Sequence, residues 1–322
     1  SRASDTVQAA ERLASWREWT ERETKSTVSR AEARRFDCDE LRELAATLLK
    51  RLGVPASAAN TLSRVLLWYD QAGRPSLGLG GLGRWLERIQ AAEFELQTRG
   101  RLTLERAGAL RINGEQGLPP VVLEHALEVV LEKARDLGVG CARVENLAAG
   151  GLLSALVFEA TTRPFSALIA GPGPVLVHGY ARMNGEPPSL VDSSLVLTGP
   201  GFRSELNELA PWEALAGPGG WLVMAWNIAE DSAMPFDRVM RRGGGEEPPA
   251  PGRRQGSGRL DTEQWTLRQA QFHQAGVPLE PAAIRSLQTW CARLDVLFPG
   301  EKAQAATPMS APNEDLTPPT GR

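Results

Sequence analysis

The stretch that decides the fold class is ALRINGEQGLPPVVLEHALEVVLEKARDLGVGCARVEN, residues 109–146. Leu110-Arg111-Ile112 followed by Asn113-Gly114 is typical of a strand that enters a tight turn. Apolar residues then recur at helical spacing over 119–137, and a short apolar run over 140–144 follows. The order strand, helix, strand predicts that the middle of the chain is a sheet with helices packed on it.

Further strands are predicted on the C-terminal side of this stretch. Short apolar runs separated by Gly-Pro turns occupy 165–170, 174–178, 190–197 and 220–228. A helix is predicted over 151–162, between the apolar runs 140–144 and 165–170, and it is expected to pack on the sheet. Residues 110–228 are therefore predicted to form one sheet-bearing α/β domain.

Helical periodicity dominates both flanks of that domain. Asp37 is a predicted N-cap, Leu41, Leu44, Leu48 and Leu49 continue at helical spacing, and Gly53 is a stop signal. Further helices are predicted over 56–71, 84–93, 261–275 and 281–295. We therefore predict an α+β fold in which a discontinuous helical domain, formed by 36–109 and 261–298, packs together around an inserted, shortened sheet-bearing domain.

Three segments are expected to lie outside these domains. Residues 1–35 are polar, with apolar residues at spacings near three, and are interpreted as an N-terminal arm with a short amphipathic helix. Residues 229–260 form a linker, whose part from 242 is too rich in Gly, Pro and charge to bury a face. The tail over 299–322 is predicted to be disordered.

Composition excludes several classes of partner. The formal net charge is −3 and the pI is about 5.8, so the chain offers no general attraction to nucleic acid or anionic lipid. No apolar run reaches about 18 residues, and the first residues lack the apolar stretch of a signal peptide, so no membrane association is expected. Three cysteines far apart and without a CxxC pair indicate a reduced compartment and exclude a cysteine-ligated zinc site. The predicted location is the cytoplasm.

Two local motifs do not hold up in context. The run 78–83 satisfies G-x-G-x-x-G, but a helix and not a strand precedes it, so it is interpreted as a flexible turn and not as a dinucleotide site. His125 lies on one helical face with Glu128 and Glu132, but zinc needs a further good ligand and no second histidine is near. No metal site is predicted, and no serine or cysteine nucleophile has sequence support.

Several strings, taken in order, resemble the malate/L-lactate dehydrogenase-like family, whose members include sulfolactate, ureidoglycolate and piperideine-carboxylate oxidoreductases. Residues 70–85, DQAGRPSLGLGGLGRW, match without a gap the family segment D-x-R-G-x-D-S-H-G-x-x-R-L-x-R-Y. Residues 109–146 resemble its D-G-x-x-G-x-G turn, long helix and following strand. VDSSL near Asp192 resembles its L-D-M-A-T-S strand, and PPAPG at 248–252 and the later HQAGVPL resemble its closing pieces. The resemblance covers roughly 36–298 and implies the L-sulfolactate dehydrogenase-like fold of NAD(P)H enzymes that lack a Rossmann domain.

The chain departs from the family pattern at the residues that carry out the family's chemistry. Leu77 stands where the family has the proton-transferring histidine, and Gly81 stands where it has the arginine that clamps a substrate carboxylate. Ala149 lies at or next to the place of a second histidine, which lies over the cofactor. The chain has no lysine between Lys133 and Lys302, so the family's G-H-K-G segment is absent.

Candidate site residues are chosen because they match a family position or because they are close to a matched position. Ser76 is the catalytic position that the family motif retains. Asn146, Gly179 and Asp192 are the matched cofactor-binding positions, and the pocket candidates are Leu77, Arg84, His178, Tyr180 and Arg182. At each of these positions a turn or core residue is an equally good interpretation. The resemblance implies that NAD(P)H is the cofactor. The loss of the family's catalytic residues argues against NAD(P)H binding, so the identity of any cofactor stays open.

Three functional hypotheses remain at this point. The preferred one is a dehydrogenase-fold protein that has lost hydride transfer and serves as a pseudoenzyme or as a repurposed tailoring protein in a specialised metabolic pathway. The second is an NAD(P)H-dependent reductase of an unusual ketone or imine. The third is a non-redox cyclase acting on an apolar intermediate, since Leu77 in place of an imidazole makes the pocket suitable for a small apolar ligand.

The expected assembly is a homodimer or a hetero-complex with a pathway protein. The resemblance implies extensive dimer contacts, and nine tryptophans are more than one monomer surface would expose. Ligand, pathway and partner identities do not follow from the sequence.

Overall fold

The computed structural model describes residues 34–148, 150–172, 176–181, 188–192, 219–228, 259–260 and 262–300. Seven α-helices lie in this part of the chain, together with a 3₁₀ turn at Leu79–Gly81. The helices are α1 Cys38–Arg51, α2 Ala56–Gln71, α3 Leu82–Gln90, α4 Pro119–Leu137, α5 Leu153–Thr161, α6 Thr262–Ala275 and α7 Pro281–Leu294.

Sequence signals explain where two of these helices begin and end. The Asp37 carboxylate accepts the backbone N–H groups of Asp39 and Glu40 at 2.9 and 3.2 Å, which caps the first turn of α1 as predicted. Helix α4 starts with two prolines, whose missing N–H groups would be unpaired there in any case. It ends at Gly138, which adopts the left-handed conformation with φ of 82°.

The described residues also contain ten strands, which make two sheets. The strands are β1 Arg34–Phe36, β2 Arg101–Arg106, β3 Ala109–Asn113, β4 Val139–Glu145, β5 Phe165–Ala170, β6 Leu176–Tyr180, β7 Ser189–Asp192, β8 Trp221–Asn227, β9 Arg259–Leu260 and β10 Val277–Leu279. β1 pairs with β10, and the other eight strands are ordered β2-β3-β4-β8-β5-β6-β7-β9. Only the pair β3–β4, which α4 connects, is parallel among these described pairings.

The main core lies between one face of the large sheet and the helices. α4 packs on β4 and β8, whereas α5 packs on β5, β6 and β7. Alternate residues of the central strands, such as Ile112, Val144, Ile169 and Val223, point into this core. The opposite face of the sheet carries a second, smaller apolar cluster of Leu168, Ala170, Leu222, Met224 and Trp226.

The two late helices lie against the early ones. α6 contacts α2, and α7 contacts α1, α3 and the 3₁₀ turn. Gly83 permits the close approach of α3 to α7, since a Cβ there would stand 2.6 Å from Ser286 Oγ. The rings of Trp68, Phe158 and Trp265 join α2, α5 and α6. The predicted α+β class is confirmed, with a mixed sheet beside these helices.

Some elements differ from the sequence predictions. β2 lies in a segment predicted to be helical, and all six of its residues are exposed. β1 and β10 were not predicted, and β9 occupies 259–260, which was predicted to be linker. The strand predicted over 174–178 is found at Leu176–Tyr180. The arm up to residue 33, most of the predicted linker and the tail from 301 lie outside the described residues.

Candidate functional site

The loop between α2 and α3 carries Ser76 and Leu77, the two central positions of the family-like motif. Asp70, in the last turn of α2, accepts the backbone N–H of Leu79 at 2.9 Å through Oδ2. The Arg74 N–H donates to the Tyr69 carbonyl at 2.8 Å. These bonds hold both ends of the loop, and Leu77 packs its partly buried side chain against the main core.

Asp70 is a buried acid with an incomplete set of partners. Its Oδ1 is buried and has no hydrogen-bond partner among the described residues. Burial raises the pKa of this carboxyl well above its ordinary value, and the Leu79 N–H only partly opposes that effect. Asp70 is therefore suited to hold the loop as a neutral group.

The space beside Gly81 is filled by backbone. A Cβ on residue 81 would stand 2.5 Å from the Ser76 carbonyl oxygen, which is far inside van der Waals contact. The Arg84 guanidinium, one helical turn later, reaches the same carbonyl with Nη2 at 3.4 Å. The loss of the family's arginine is therefore accompanied by a loop path that leaves no room for any side chain at position 81.

Tyr69, Ser154 and Asp192 form a buried polar group where α2, the first turn of α5 and the end of β7 meet. The Ser154 N–H donates to Tyr69 Oη at 3.0 Å, and the Ser154 hydroxyl donates to Asp192 Oδ2. Burial, and then the nearby Asp192 charge, raise the pKa of Tyr69 above its ordinary range. The N-terminus of α5 is a favourable place for a carboxylate, because the helix dipole is positive there.

Asn146 joins two loops. Its Nδ2 donates to Asn113 Oδ1 at 3.1 Å, its own Oδ1 accepts from Gln116 Nε2, and its carbonyl accepts the Gln116 N–H at 2.9 Å. Asn146 also adopts φ of 53°, a conformation that asparagine tolerates better than most residues. The amide group is thus engaged in linking 113–117 to the end of β4.

Gly179 is a point of close packing between β6 and α5. A Cβ at this position would stand 2.6 Å from Thr161 Cγ2 and 2.8 Å from Val157 Cγ1. No cofactor can enter between Gly179 and α5. Gly179 thus packs directly on α5, while the Asn146 side chain is held by internal hydrogen bonds and Asp192 is buried.

His178 and Tyr180 point to the other face of the sheet. Their ring centroids are 3.8 Å apart, and the His178 ring lies 5.6 Å from that of Trp226. Burial lowers the pKa of His178 to about 3, so its imidazole is neutral at physiological pH.

The sequence-predicted positions therefore separate into several places. Ser76 and Leu77 lie in the loop before α3, and Arg84 lies in the first turn of α3. Asp192 lies with Tyr69 and Ser154, and Asn146 lies in a separate loop. Gly179 faces α5, whereas His178 and Tyr180 point to the opposite face of the sheet. Arg182 and Ala149 lie outside the described residues. Sequence reasoning missed Tyr69 and Ser154, because hydroxyl groups inside apolar helices look like core residues and carry no spacing signal. Asp70 matched the first residue of the family motif but was given no role.

The described residues contain no group of three His, Cys, Asp or Glu side chains placed to hold a metal ion. Cys38, Cys141 and Cys291 are free thiols, and burial raises the pKa of Cys38 to about 11. Among the helices that the structure describes, none is both long and apolar enough to cross a bilayer.

Comparison with known proteins identifies related sequences. Residues 36–179 match the family model of malate/L-lactate dehydrogenase. Malate dehydrogenase of Pyrococcus abyssi is 30% identical over 112 residues, which are 35% of this chain and 31% of that protein. L-sulfolactate dehydrogenase of Methanocaldococcus jannaschii is 27% identical over 105 residues, which are 33% of this chain and 30% of that protein. These alignments span about a third of the length of the curated relatives.

Solved structures extend the similarity to most of the chain. Malate dehydrogenase from Pyrococcus horikoshii OT3 superposes with a TM-score of 0.68 at 15% identity, covering 85% of this chain and 99% of that chain. Sulfolactate dehydrogenase from M. jannaschii gives 0.61 at 15% identity, covering 81% and 98%. At such identities the likeness concerns the fold. The predicted resemblance to the malate/L-lactate dehydrogenase family is thus confirmed over residues 36–179, and the chain has the sulfolactate dehydrogenase-like fold.

Proposed function

We propose that this dehydrogenase-fold protein no longer transfers hydride to or from 2-hydroxy acids and serves as a pseudoenzyme or a repurposed tailoring protein in a specialised metabolic pathway. The observation that carries the proposal is the position of the Ser76 carbonyl, which fills the space beside Gly81. A carboxylate clamp cannot be regained there by a side-chain change alone, since the backbone would also have to move.

Leu77 supports the same proposal. An aliphatic side chain cannot donate or accept a proton, and this one packs against the core. Removal of a positioned proton-transfer group costs roughly 10²- to 10⁴-fold in rate. The loop therefore offers a dry, apolar surface in place of an acid–base group, which suits a small apolar ligand better than a charged oxo acid.

The test is a pair of measurements on the purified chain. Nicotinamide absorbance is followed with malate, lactate and sulfolactate, and in the reverse direction with the matching oxo acids, using either cofactor. No turnover above background is expected, nor from the Leu77→His, Ala149→His double variant, since the clamp stays absent. Turnover of pyruvate or oxaloacetate that Ser76→Ala abolishes would overturn the proposal.

A second candidate, an NAD(P)H-dependent reductase of an unusual ketone or imine, is favoured by the buried set of Tyr69, Ser154 and Asp192. A serine hydroxyl that donates to a buried carboxylate, beside a buried tyrosine hydroxyl, is the kind of arrangement that active sites use to hold a proton. Fluorescence titration with NADH and NADPH separates the two candidates. Saturable binding of either nucleotide that Asp192→Asn weakens would favour the reductase, and its absence would favour the proposal above.

Homodimer formation, or pairing with a pathway protein, is part of the proposal, as is a cytoplasmic location. The tryptophans do not support association with a partner through exposed rings, since five of them are buried: Trp68, Trp85, Trp221, Trp226 and Trp290. Four apolar side chains, those of Leu102, Leu104, Leu137 and Val139, are each more than a third exposed and are candidates for contacts with a partner. Light scattering that gives a monomer mass at micromolar concentration would contradict the dimer.

A further inference from the structure

A groove of about 770 Å³ is lined by residues of α1, α2 and α4. Its volume is within the roughly 300–1,000 Å³ of small-molecule sites. α1 and α4 each pack against α2, and the short side chains of Ala46, Ala58 and Val121 leave the space beside them open. The groove stops short of the last two turns of α2, which carry Tyr69 and Asp70. It therefore shares no residue with the candidate site described above.

The charged side chains of the groove are balanced in sign. Its acidic and basic side chains are equal in number, so a ligand with a large net charge of either sign is not favoured. Most of these groups are held in ion pairs, which are Arg42 with Asp39, Arg64 with Glu124, and Arg99 with Glu128. Each of these charges already has an opposite partner, so a ligand has little to gain from them.

Two charged side chains of the groove are left over, those of Glu43 and Lys50. Neither makes an ion pair or a hydrogen bond within the part of the chain that the structure describes. They are two helical turns apart on the side of α1 that faces the groove, about 10 Å along the helix axis. Side chains at this spacing do not meet, because neighbours on a helix surface are three or four positions apart. The groove therefore presents one unpaired negative charge and one unpaired positive charge.

Uncharged hydrogen-bonding groups line the same groove. The Ser57 hydroxyl and the Asn60 side-chain amide belong to it, and neither has a hydrogen-bond partner among the described residues. Both groups can donate and accept, which suits the N–H and C=O groups of peptide bonds. The methyl groups of Ala46 and Ala58 add small apolar contacts. This chemistry is complementary to a chain of amides that carries opposite charges at its two ends.

We propose that this groove binds a short, extended peptide-like zwitterion, whose ammonium group pairs with Glu43 and whose carboxylate pairs with Lys50. Its amide groups lie within reach of Ser57 and Asn60. Three extended residues span about 10 Å, which matches the spacing of the two unpaired charges. The inference goes beyond the proposed function, because it holds whether or not the protein transfers hydride.

Trialanine and its end-blocked analogues test the inference. Titration of the ¹⁵N-labelled full chain, followed through the backbone amide resonances of Ala46 and Ala58, gives dissociation constants even for weak ligands. We expect trialanine to shift these resonances saturably. N-acetyl-trialanine and trialanine amide each lack one terminal charge, and each should bind about two- to fivefold more weakly, the worth of one partly exposed ion pair.

Variants then show which residue reads which end of the peptide. Glu43→Gln should weaken trialanine by the same factor and leave the affinity for N-acetyl-trialanine unchanged, because that analogue has already lost the ion pair. Lys50→Gln should behave in the same way towards trialanine amide. Glu40→Gln and Arg51→Gln are the matched controls, since both residues are exposed on α1 outside the groove, and both variants should bind trialanine as the wild type does.

Four results would each overturn the inference. The first is no saturable shift of the groove resonances, and the second is a shift confined to residues outside the groove. The third is an N-acetyl analogue that binds as tightly as trialanine. The fourth is a loss of affinity in Glu40→Gln equal to that in Glu43→Gln, because the effect would then arise from the general charge of α1.

Discussion

The carboxyl group of Asp70 lies directly behind Gly78, so closely that a Cβ on residue 78 would stand 2.5 Å from Asp70 Cγ. The same carboxyl accepts the Leu79 N–H. One buried acid thus fixes the path of the backbone just after Ser76 and Leu77, and a residue without a side chain is required opposite it.

Gly78→Ala should therefore destabilise the protein. The added methyl group must displace a buried, hydrogen-bonded carboxyl, and overpacking of this kind costs roughly 1–3 kcal/mol. Urea unfolding followed by circular dichroism measures the effect. Gly151→Ala is the control, since its Cβ would have no neighbour within 4 Å. Equal stabilities of the two variants would contradict the contact.

Asp70→Asn should stabilise the protein increasingly as pH rises. The raised pKa means that folded Asp70 keeps a proton that the unfolded chain releases above its ordinary value of 3.8. Wild-type stability therefore falls as pH rises from that value towards the folded-state pKa. The neutral amide removes this dependence. Unfolding free energies at about pH 5 and about pH 8 should differ less for the variant than for the wild type.

Protonation of His178 should lower the stability of the protein as pH falls, whereas the effect of Asp70 lowers stability as pH rises. Its pKa falls from 6.5 to about 3 on folding, so between these values the unfolded chain binds a proton that the folded protein does not. Stability should therefore fall as pH drops below 6.5, with a slope of up to about 1.4 kcal/mol per pH unit from this residue. His178→Phe should flatten that part of the profile, and an unchanged slope in the variant would contradict the assignment to this residue.

Ser154→Ala should cost roughly 1–3 kcal/mol, because it removes the hydroxyl that donates to the buried Asp192 carboxylate. Thr162→Ala is matched to it, since the Thr162 hydroxyl donates to a carbonyl at the exposed end of the same helix. That change should stay within about 0.5 kcal/mol. Thermal unfolding of both variants is the measurement, and a similar loss from each would show that the Ser154 bond is unimportant.

Gly81→Arg should fail to restore an anion site. The Ser76 carbonyl occupies the space of the new Cβ, so the substitution should lower stability, and titration with oxaloacetate should show no binding gained. Gly151→Arg introduces the same charge where space is open, and it should leave the unfolding midpoint nearly unchanged.

Local sequence signals were sufficient to predict most of the helices. The Asp37 cap, the helical spacing of 119–137 and the left-handed Gly138 each act within a few residues, so the sequence contains them directly. The position of β8 between β4 and β5 could not be predicted, because it depends on pairing Val139 with Trp226 across many residues. β1 and β10 have three residues each, and neither has a periodic signal without the other.

The candidate site was predicted only where a family-like motif passes through it. Asp192 was identified by resemblance, but its donor Ser154 lies 38 positions away along the chain, and Tyr69 lies 85 positions from Ser154. Such contacts arise from the packing of α2 and α5 and leave no pattern within either helix. The loss of the family's arginine at Gly81 was visible in the sequence. The Ser76 carbonyl that fills the space beside Gly81 could not be predicted, because its position depends on the path of the loop.

The pairing of β1 with β10 ties the segment before α1 to the segment between α6 and α7. Arg34 lies opposite Leu279, the Arg35 guanidinium donates to the Gly276 carbonyl at 2.9 Å, and the rings of Phe36 and Phe298 meet edge to face at 5.3 Å. Because each strand of this small sheet has the other as its partner, the two segments should open and close as one cooperative unit in hydrogen exchange, although they lie far apart along the chain.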